Sequence, residues 1–299
     1  MTEAMTDTAT AVGGVAGTTL QGQRVAAHWG RLSLTFDGAV QALQAQGIAP
    51  GLATADALHA LDMNHMGGLA ATDALGEMAR LRPGQRVLDV GAGVGGPARR
   101  LAHKYGARVC GVELSESVYQ TAVALTALVG LQDHVQFRQG SALALPFADG
   151  IFDVVVMQHV AMQIAEKNQL FDESIRVLTP GGVLALHEIF AGPGGPPLFP
   201  LAWASEPAMS SLESWDACVA RLTQRGLTVG PFVDQRETGR RYHAANIQTR
   251  RQALAQQQGA EGLSVGATDA RLRIAISMER NLREGRLQVG LVVCTKGPA

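Results

Sequence analysis

Cysteine is scarce in this chain. Cys110, Cys218 and Cys294 are odd in number and far apart. That spacing argues against both a disulfide framework and the paired-cysteine pattern of a metal site. It predicts three small buried thiols in a reducing, cytoplasmic setting. Charge is sparse too, with 17% charged residues and a formal net charge of −1. The clustered Lys and Arg that grip a phosphate backbone are missing, so nucleic acid is not an expected partner. No apolar run reaches the roughly eighteen residues of a membrane-spanning helix, so no membrane partner is expected either. Aromatics make up only 5%, which argues against a full aromatic cage for a cationic ligand. Residues 1–20, rich in Thr, Ala and Gly, lack a basic start followed by a long apolar stretch. They read as a disordered tail, not a secretory signal.

What is present is core material. Hydrophobic residues are 46% of 299, enough for one large domain or a domain plus a modest cap. From Gln21 to Gln46, apolar residues at three- and four-residue spacing (Val25, Leu32, Phe36, Val40, Leu43) predict a helix, followed by a break at Pro50-Gly51. Two more helices are expected at Thr54–Leu61, with Thr54 as N-cap, and at Leu69–Leu81, stopped by Pro83-Gly84. These form an N-terminal helical cap over residues 21–82. The rhythm then changes. Strands are expected at Arg86–Val90, Ala107–Glu113, Val135–Gln139, Phe152–Met157 and Val183–Ile189, alternating with helices at Gly96–Tyr105, Ser117–Val129 and Lys167–Leu178. Such alternation signals an α/β domain, here 83–299, with a parallel sheet covered on both faces. Beyond a Gly/Pro-rich loop, helices are expected at Leu212–Gly226, Ile247–Gln258 and Ala267–Arg283, and strands at Leu227–Val233 and Leu287–Thr295.

The most informative stretch is Val87-Leu-Asp89-Val-Gly91-Ala92-Gly93-Val-Gly-Gly96-Pro97, an apolar strand running into glycines and then a helix. Gly91 and Gly93 permit unusual dihedrals and let a ligand lie against the backbone, while Pro97 suits the first helical turn. Ligands of open α/β sheets sit at such strand ends. Glu113 ends the second strand about twenty residues later, where a carboxylate can accept hydrogen bonds from both ribose hydroxyls; the plainer alternative is a solvated strand end. The glycine pattern alone suits a nicotinamide dinucleotide equally well.

Val87–Gly96 resembles motif I of class I S-adenosyl-L-methionine-dependent methyltransferases, and Gly111-Val-Glu113-Leu114-Ser resembles the ribose motif that follows. Gly140-Ser141-Ala142-Leu-Ala-Leu-Pro146-Phe147 is similar to the adenine segment of that family, and Arg176-Val-Leu-Thr-Pro180-Gly-Gly182 resembles its turn before strand five. The resemblance implies a Rossmann-like sheet of seven mostly parallel strands in the order 3-2-1-4-5-7-6, the last antiparallel. Leu227–Val233 and Leu287–Thr295 would supply strands six and seven, with a helical insertion at about 234–286 between them. It implies S-adenosyl-L-methionine as cofactor, held by Asp89, Gly91, Ala92, Gly93, Glu113, Leu114, Ser141, Ala142 and Gln158. Ser141 stands where the family usually has Asp, so its bond to the adenine amine should be weaker for want of charge. Three further segments, Asp62–Thr72, Met157–Ile164 and Phe199–Trp203, resemble sarcosine/dimethylglycine methyltransferases and, more distantly, phosphoethanolamine methyltransferases.

Methyl transfer from a sulfonium is an in-line displacement, for which positioning alone can supply on the order of 7–11 kcal/mol. A general base adds about 10²–10⁴-fold. His159, directly after strand four, is the first candidate to orient or deprotonate an acceptor; the alternative is a structural imidazole. Gln163 and His65 are further catalytic candidates. In phosphoethanolamine methyltransferases a His falls at the place of Gln163, so a histidine pair does not carry over. Glu188 could hold a cationic acceptor and Trp203 could stack on one. Trp29 reads as a core residue, with a lid role as the alternative. No metal ligand set is expected. The expected activity is methylation of a small-molecule acceptor, first an amine, with an oxygen or carbon nucleophile on a phenolic or prenylated metabolite as the alternative. An NAD(P)-dependent oxidoreductase on the same glycine loop is a second class, and a donor-binding protein without turnover a third. A homodimer is left open.

Overall fold

The computed structural model describes Val15 and residues 18–63, 65–257 and 265–298. Most of the expected tail lies outside these residues, but Thr18–Leu20 do not. Thr19 caps α1 (Leu20–Leu32), its hydroxyl accepting from the Gly22 amide at 3.1 Å. The single helix expected over 21–46 is two helices. Ser33 is extended, and Thr35 starts α2 (Phe36–Ala45) by accepting from the Gly38 amide, so the apolar spacing continues across a chain break that periodicity cannot see. Thr54 caps α3 (Ala55–Asp62) as expected, and α4 (Gly68–Met78) follows. Ala39, Leu43 and Leu58 of these helices close over Val94, Val118 and Leu125.

The sheet is built from β1 (Arg86–Val90), β2 (Arg108–Glu113), β3 (Val135–Gln139), β4 (Phe152–Gln158) and β5 (Leu178–Ala191), all parallel where they pair. Between them run α5 (Gly96–Tyr105), α6 (Glu116–Leu128) and α7 (Lys167–Arg176). Alternate side chains divide between two cores. Leu88, Val90, Cys110, Val112, Val155 and Met157 face one layer, and Val87, Val109, Val154 and Val156 the other. Burial on both faces is why these strands read as nearly unbroken apolar runs. All three cysteines are buried and free, and burial pushes the Cys110 and Cys294 thiols up to about 12.

After α8 (Trp215–Gln224) the expected strand at 227–233 breaks at Gly230-Pro231, leaving β6 (Leu227–Val229) and the two-residue β7 (Val233–Asp234). Pro231 has no amide to give to a ladder, and the Gly230 amide goes to Val293 O instead. A long hairpin, α9 (Arg236–Gln257) and α10 (Val265–Arg283), precedes β8 (Leu287–Lys296). The helix expected from Ile247 therefore starts eleven residues earlier. β8 lies antiparallel between β5 and β6, so the order is β3-β2-β1-β4-β5-β8-β6 with β7 also on β8. This is the expected path with eight strands rather than seven. Among the described residues no helix is long and apolar enough to cross a membrane.

Candidate functional site

The strand-to-helix turn after β1 shapes the first cavity. Gly91 and Gly93 lie at φ +69° and +55°. At Gly91 a Cβ would stand 2.6 Å from the Val160 side chain, whereas at Gly93 it would meet nothing within 4 Å and project into open space. The Gly93 amide donates to Glu113 Oε2 at 3.0 Å, and the Ser115 amide to Oε1 at 2.8 Å. Each carboxylate oxygen keeps a further lone pair for a ligand hydroxyl. Burial raises the pKa of Glu113, and its bonds to the Ser115, Gly93 and Leu114 amides pull the other way. Gly91, Ala92, Gly93, Glu113, Leu114, Ser141, Ala142 and Gln158 all line this cavity. Asp89 does not. It lies 2% exposed at the end of β1, and burial, then the nearby Glu113 charge, push its carboxyl up to about 7.

Part of the wall of this first cavity comes from α1 and the residues just before it: Thr18, Thr19, Gln21, Gly22, Val25 and Trp29. A Thr-Ala-Gly tail running into a helix carries no local mark of ligand contact. Asp62 also reaches this wall. Its Oδ2 accepts from Arg99 Nη2 at 2.8 Å, and both side chains are fully buried. Arg99 donates in addition to Val94 O and to Thr126 Oγ1, so one guanidinium ties the glycine turn to α3 and α6.

A second cavity opens beyond His159 and Trp29, the two residues that line both. Its wall is mostly apolar, with Met66, Met162, Ile189, Trp203, Ile274 and Met278, and among the described residues no carboxylate lines it. His159 sits at φ +58°, unusual for a residue with a side chain, its amide donating to His187 O at 2.8 Å. The ring is 4.6 Å from that of His187 and 5.9 Å from that of His65, and its Nε2 has no partner. Burial, then the neighbouring His187, His65 and His243, hold His159 well below the ordinary imidazole range, so it is neutral at pH 7. His65 lies in the donor-cavity wall with its Nδ1 3.2 Å from Met66 O and its Nε2 3.1 Å from Thr72 Oγ1, which donates to Gln158 Oε1 at 3.1 Å. Burial lowers His65 to about 4. Among the described residues, no group of three or more His, Cys, Asp or Glu is arranged to hold a metal ion.

The remaining expected residues divide. Gln163 lines the donor cavity, and its Oε1 accepts from Trp29 Nε1 at 2.8 Å. Trp29 is thus a partition between cavities rather than plain core. Trp203 is fully buried, lines the second cavity and donates to Ser210 Oγ. Glu188 lines neither cavity. Its Oε1 accepts from the Val160 and Ala161 amides at 2.8 and 3.1 Å, which clamps the turn that presents His159. Burial pushes Glu188 up to about 7. His243, on α9, was not singled out by the sequence. It is 5% exposed, lines the second cavity, and neither ring nitrogen has a partner.

Residues 88–186 match the family model described as a methyltransferase domain. The chain is 30% identical over 170 residues to phosphoethanolamine N-methyltransferase 1 of Zea mays, a match covering 56% of this chain and 34% of that protein. It is 37% identical over 108 residues to sterol 24-C-methyltransferase ERG6B of Gibberella zeae, covering 36% of this chain and 28% of that one. The chain thus spans about a third of the length of these curated relatives. A sarcosine/dimethylglycine methyltransferase-like structure from Galdieria sulphuraria shares the fold at a TM-score of 0.64 and 21% identity, covering 77% of this chain and 84% of that one. Residues 88–186 thus form a methyltransferase domain, and the glycine turn, the pinned Glu113 and the sheet order are those of the class I S-adenosylmethionine-dependent fold.

Proposed function

We propose that this chain transfers a methyl group to a small molecule held in the second cavity, and that the helices before residue 83 act as a cap over the donor. The observation that carries this reading is the partition. One wall, made of His159 and Trp29, separates a cavity built for a nucleoside from an apolar one. S-adenosylmethionine, when bound, supplies a methyl group already activated by the sulfonium charge.

The residues of the chain then do three things. Glu113 holds the ribose hydroxyls, its orientation set by the Gly93 and Ser115 amides. Ala92, Leu114, Ser141, Ala142 and Gln158 line the nucleoside cavity, with Asp89 behind them. The apolar wall with Trp203 excludes water and orients the acceptor, which is where most of the rate enhancement of a positioned displacement arises. His159, neutral and with a free Nε2, accepts the proton of the nucleophile. Gln163 acts through Trp29, and Glu188 through the 160–161 amides. His65 fixes Gln158 through Thr72.

A proton-bearing nucleophile, an amine or a hydroxyl, suits this wall. A permanently cationic acceptor does not, because among the described residues no carboxylate lines the cavity and Glu188 accepts from backbone amides. Calorimetry with S-adenosylhomocysteine tests the donor half. We expect binding, with Glu113→Ala weakening it by about tenfold or more, since charged hydrogen bonds are worth roughly 1.5–3 kcal/mol each. Binding of NAD(H) or NADP(H) with no response to S-adenosylhomocysteine would refute the assignment. Labelled donor offered with a panel of amines and phenols then reads the acceptor atom.

A further inference from the structure

The α9–α10 hairpin places two guanidinium groups together at the second cavity. Arg250 and Arg271 both line it, and no carboxylate among the described residues pairs with either. Arg250 is half-buried with no hydrogen-bond partner among the described residues. Arg271 is exposed and reaches only a backbone oxygen, that of Leu32, at 3.4 Å. Elsewhere on the same hairpin Arg240 pairs with Glu237 and Glu279, Arg241 with Glu237, Arg280 with Glu284 and Arg283 with Glu279, while Arg251 is exposed and lies outside the cavity wall. The unmatched pair is therefore not a general excess of positive charge.

Its position is as informative as its charge. His243, Asn246 and Arg250 line the cavity from one helix, so the unpartnered buried imidazole and the guanidinium are seven residues, or about 10 Å, apart along α9. The deep end, at His243, faces the cavity that His159 closes. The shallow end carries the arginines. Apolar side chains of α10, among them Ile274 and Met278, lie between. Burial, and next the charge of Arg271, lower the pKa of Arg250 from its ordinary value, so the pair is held at a cost that a bound anion would relieve.

We propose that the acceptor is an elongated amphipathic anion, whose carboxylate or phosphate is bound by Arg250 and Arg271 at the mouth while its apolar body runs inward to place the nucleophile at His159. This rests on the methyl-transfer reading for the identity of the inner end, but not for the anion site itself.

Titration of decanoate, decyl phosphate and 1-decanol into the full chain, alone and saturated with S-adenosylhomocysteine, tests it. The two anions should bind about tenfold or more tighter than the alcohol. The Arg250→Gln/Arg271→Gln double variant should erase that preference and leave S-adenosylhomocysteine affinity unchanged. The exposed Arg271→Gln change alone should erase part of it, which keeps the test usable if the double variant is unstable. A preference for decanoate over decyl phosphate, or the reverse, identifies the head group. Equal binding of alcohol and anions, or an anion preference that survives both variants, overturns the proposal. Failure of S-adenosylhomocysteine to bind would instead sink the donor reading, while the titration of the chain alone would still judge the arginine pair.

Discussion

At the scale of single residues, the proposed chemistry centres on His159. A left-handed backbone, an unpartnered Nε2 and a shared wall between two cavities coincide there. Asn tolerates that backbone better than most residues, so His159→Asn should fold and bind S-adenosylhomocysteine normally. With labelled donor, its single-turnover rate should fall by about 10²–10⁴-fold if the imidazole takes the proton. A fall confined to acceptor KM would assign His159 to orientation alone. Because its pKa is depressed, the base form persists as pH falls, and kcat/KM should hold level through the ordinary imidazole value near 6.5 and decline only at more acid pH. His159 and Gln158 were legible because they follow directly on an apolar strand of known type. Trp29 was not, since nothing local distinguishes a core indole from one that forms a partition. Glu188 was legible as a strand-end carboxylate but not in direction. Only the fold shows its oxygen turned to the 160–161 amides.

At the scale of elements, the glycine turn depends on an ion pair rather than on its own backbone. Arg99 sits on α5 and Asp62 at the end of α3, and neither reaches water. Burial raises Asp62 from its ordinary value and lowers Arg99, so desolvation outweighs their mutual attraction and each charge depends on its partner to stay ionised. Arg99→Met should therefore cost about 3–5 kcal/mol in denaturant unfolding, because it strands a buried carboxylate. Replacing both partners with apolar residues should recover part of that loss, whereas a surface ion pair would show neither effect. Helix boundaries were the least legible feature here. The break at Ser33–Thr35 and the split at Gly230-Pro231 change the chain path without interrupting the hydrophobic pattern.

For the whole molecule, buried titratable groups set a pH dependence with opposing signs. His65 and His243 are lowered by burial to about 4, and His159 and His187 are lowered as well. From about pH 4 to the unfolded imidazole value near 6.5, the unfolded chain binds these protons and the native one does not, so stability rises with pH. Asp89 and Glu188, raised to about 7, act the other way: the native state keeps protons the unfolded chain has lost, so stability falls as pH rises towards 7. Burial also lowers His59 and raises Asp62 and Glu113, so five imidazoles stand against four carboxyls and the net rise is shallow. Thermal melting in low-absorbance buffers should climb from pH 4.5 to 6.5, and His243→Leu should flatten the climb. A midpoint that falls across that range would contradict the assigned protonation states.

The donor half of the molecule was determined by the sequence itself, because strand, glycine turn and strand-end acid are consecutive or nearly so. Their backbone demands are written in residue type: Gly91 and Gly93 for positive φ, Pro97 for a helix start, unbroken apolar runs for strands covered on both faces. The second cavity, the proposed acceptor site, was decided only by tertiary structure. Trp29, His159, Trp203, His243, Arg250 and Arg271 come from segments spread over more than two hundred residues, and they meet because the α9–α10 hairpin and the head of α1 pack on one end of the sheet. Packing of that kind depends on the summed shape and burial of long-range neighbours, which leaves no periodic or local trace at His243, Arg250 or Arg271.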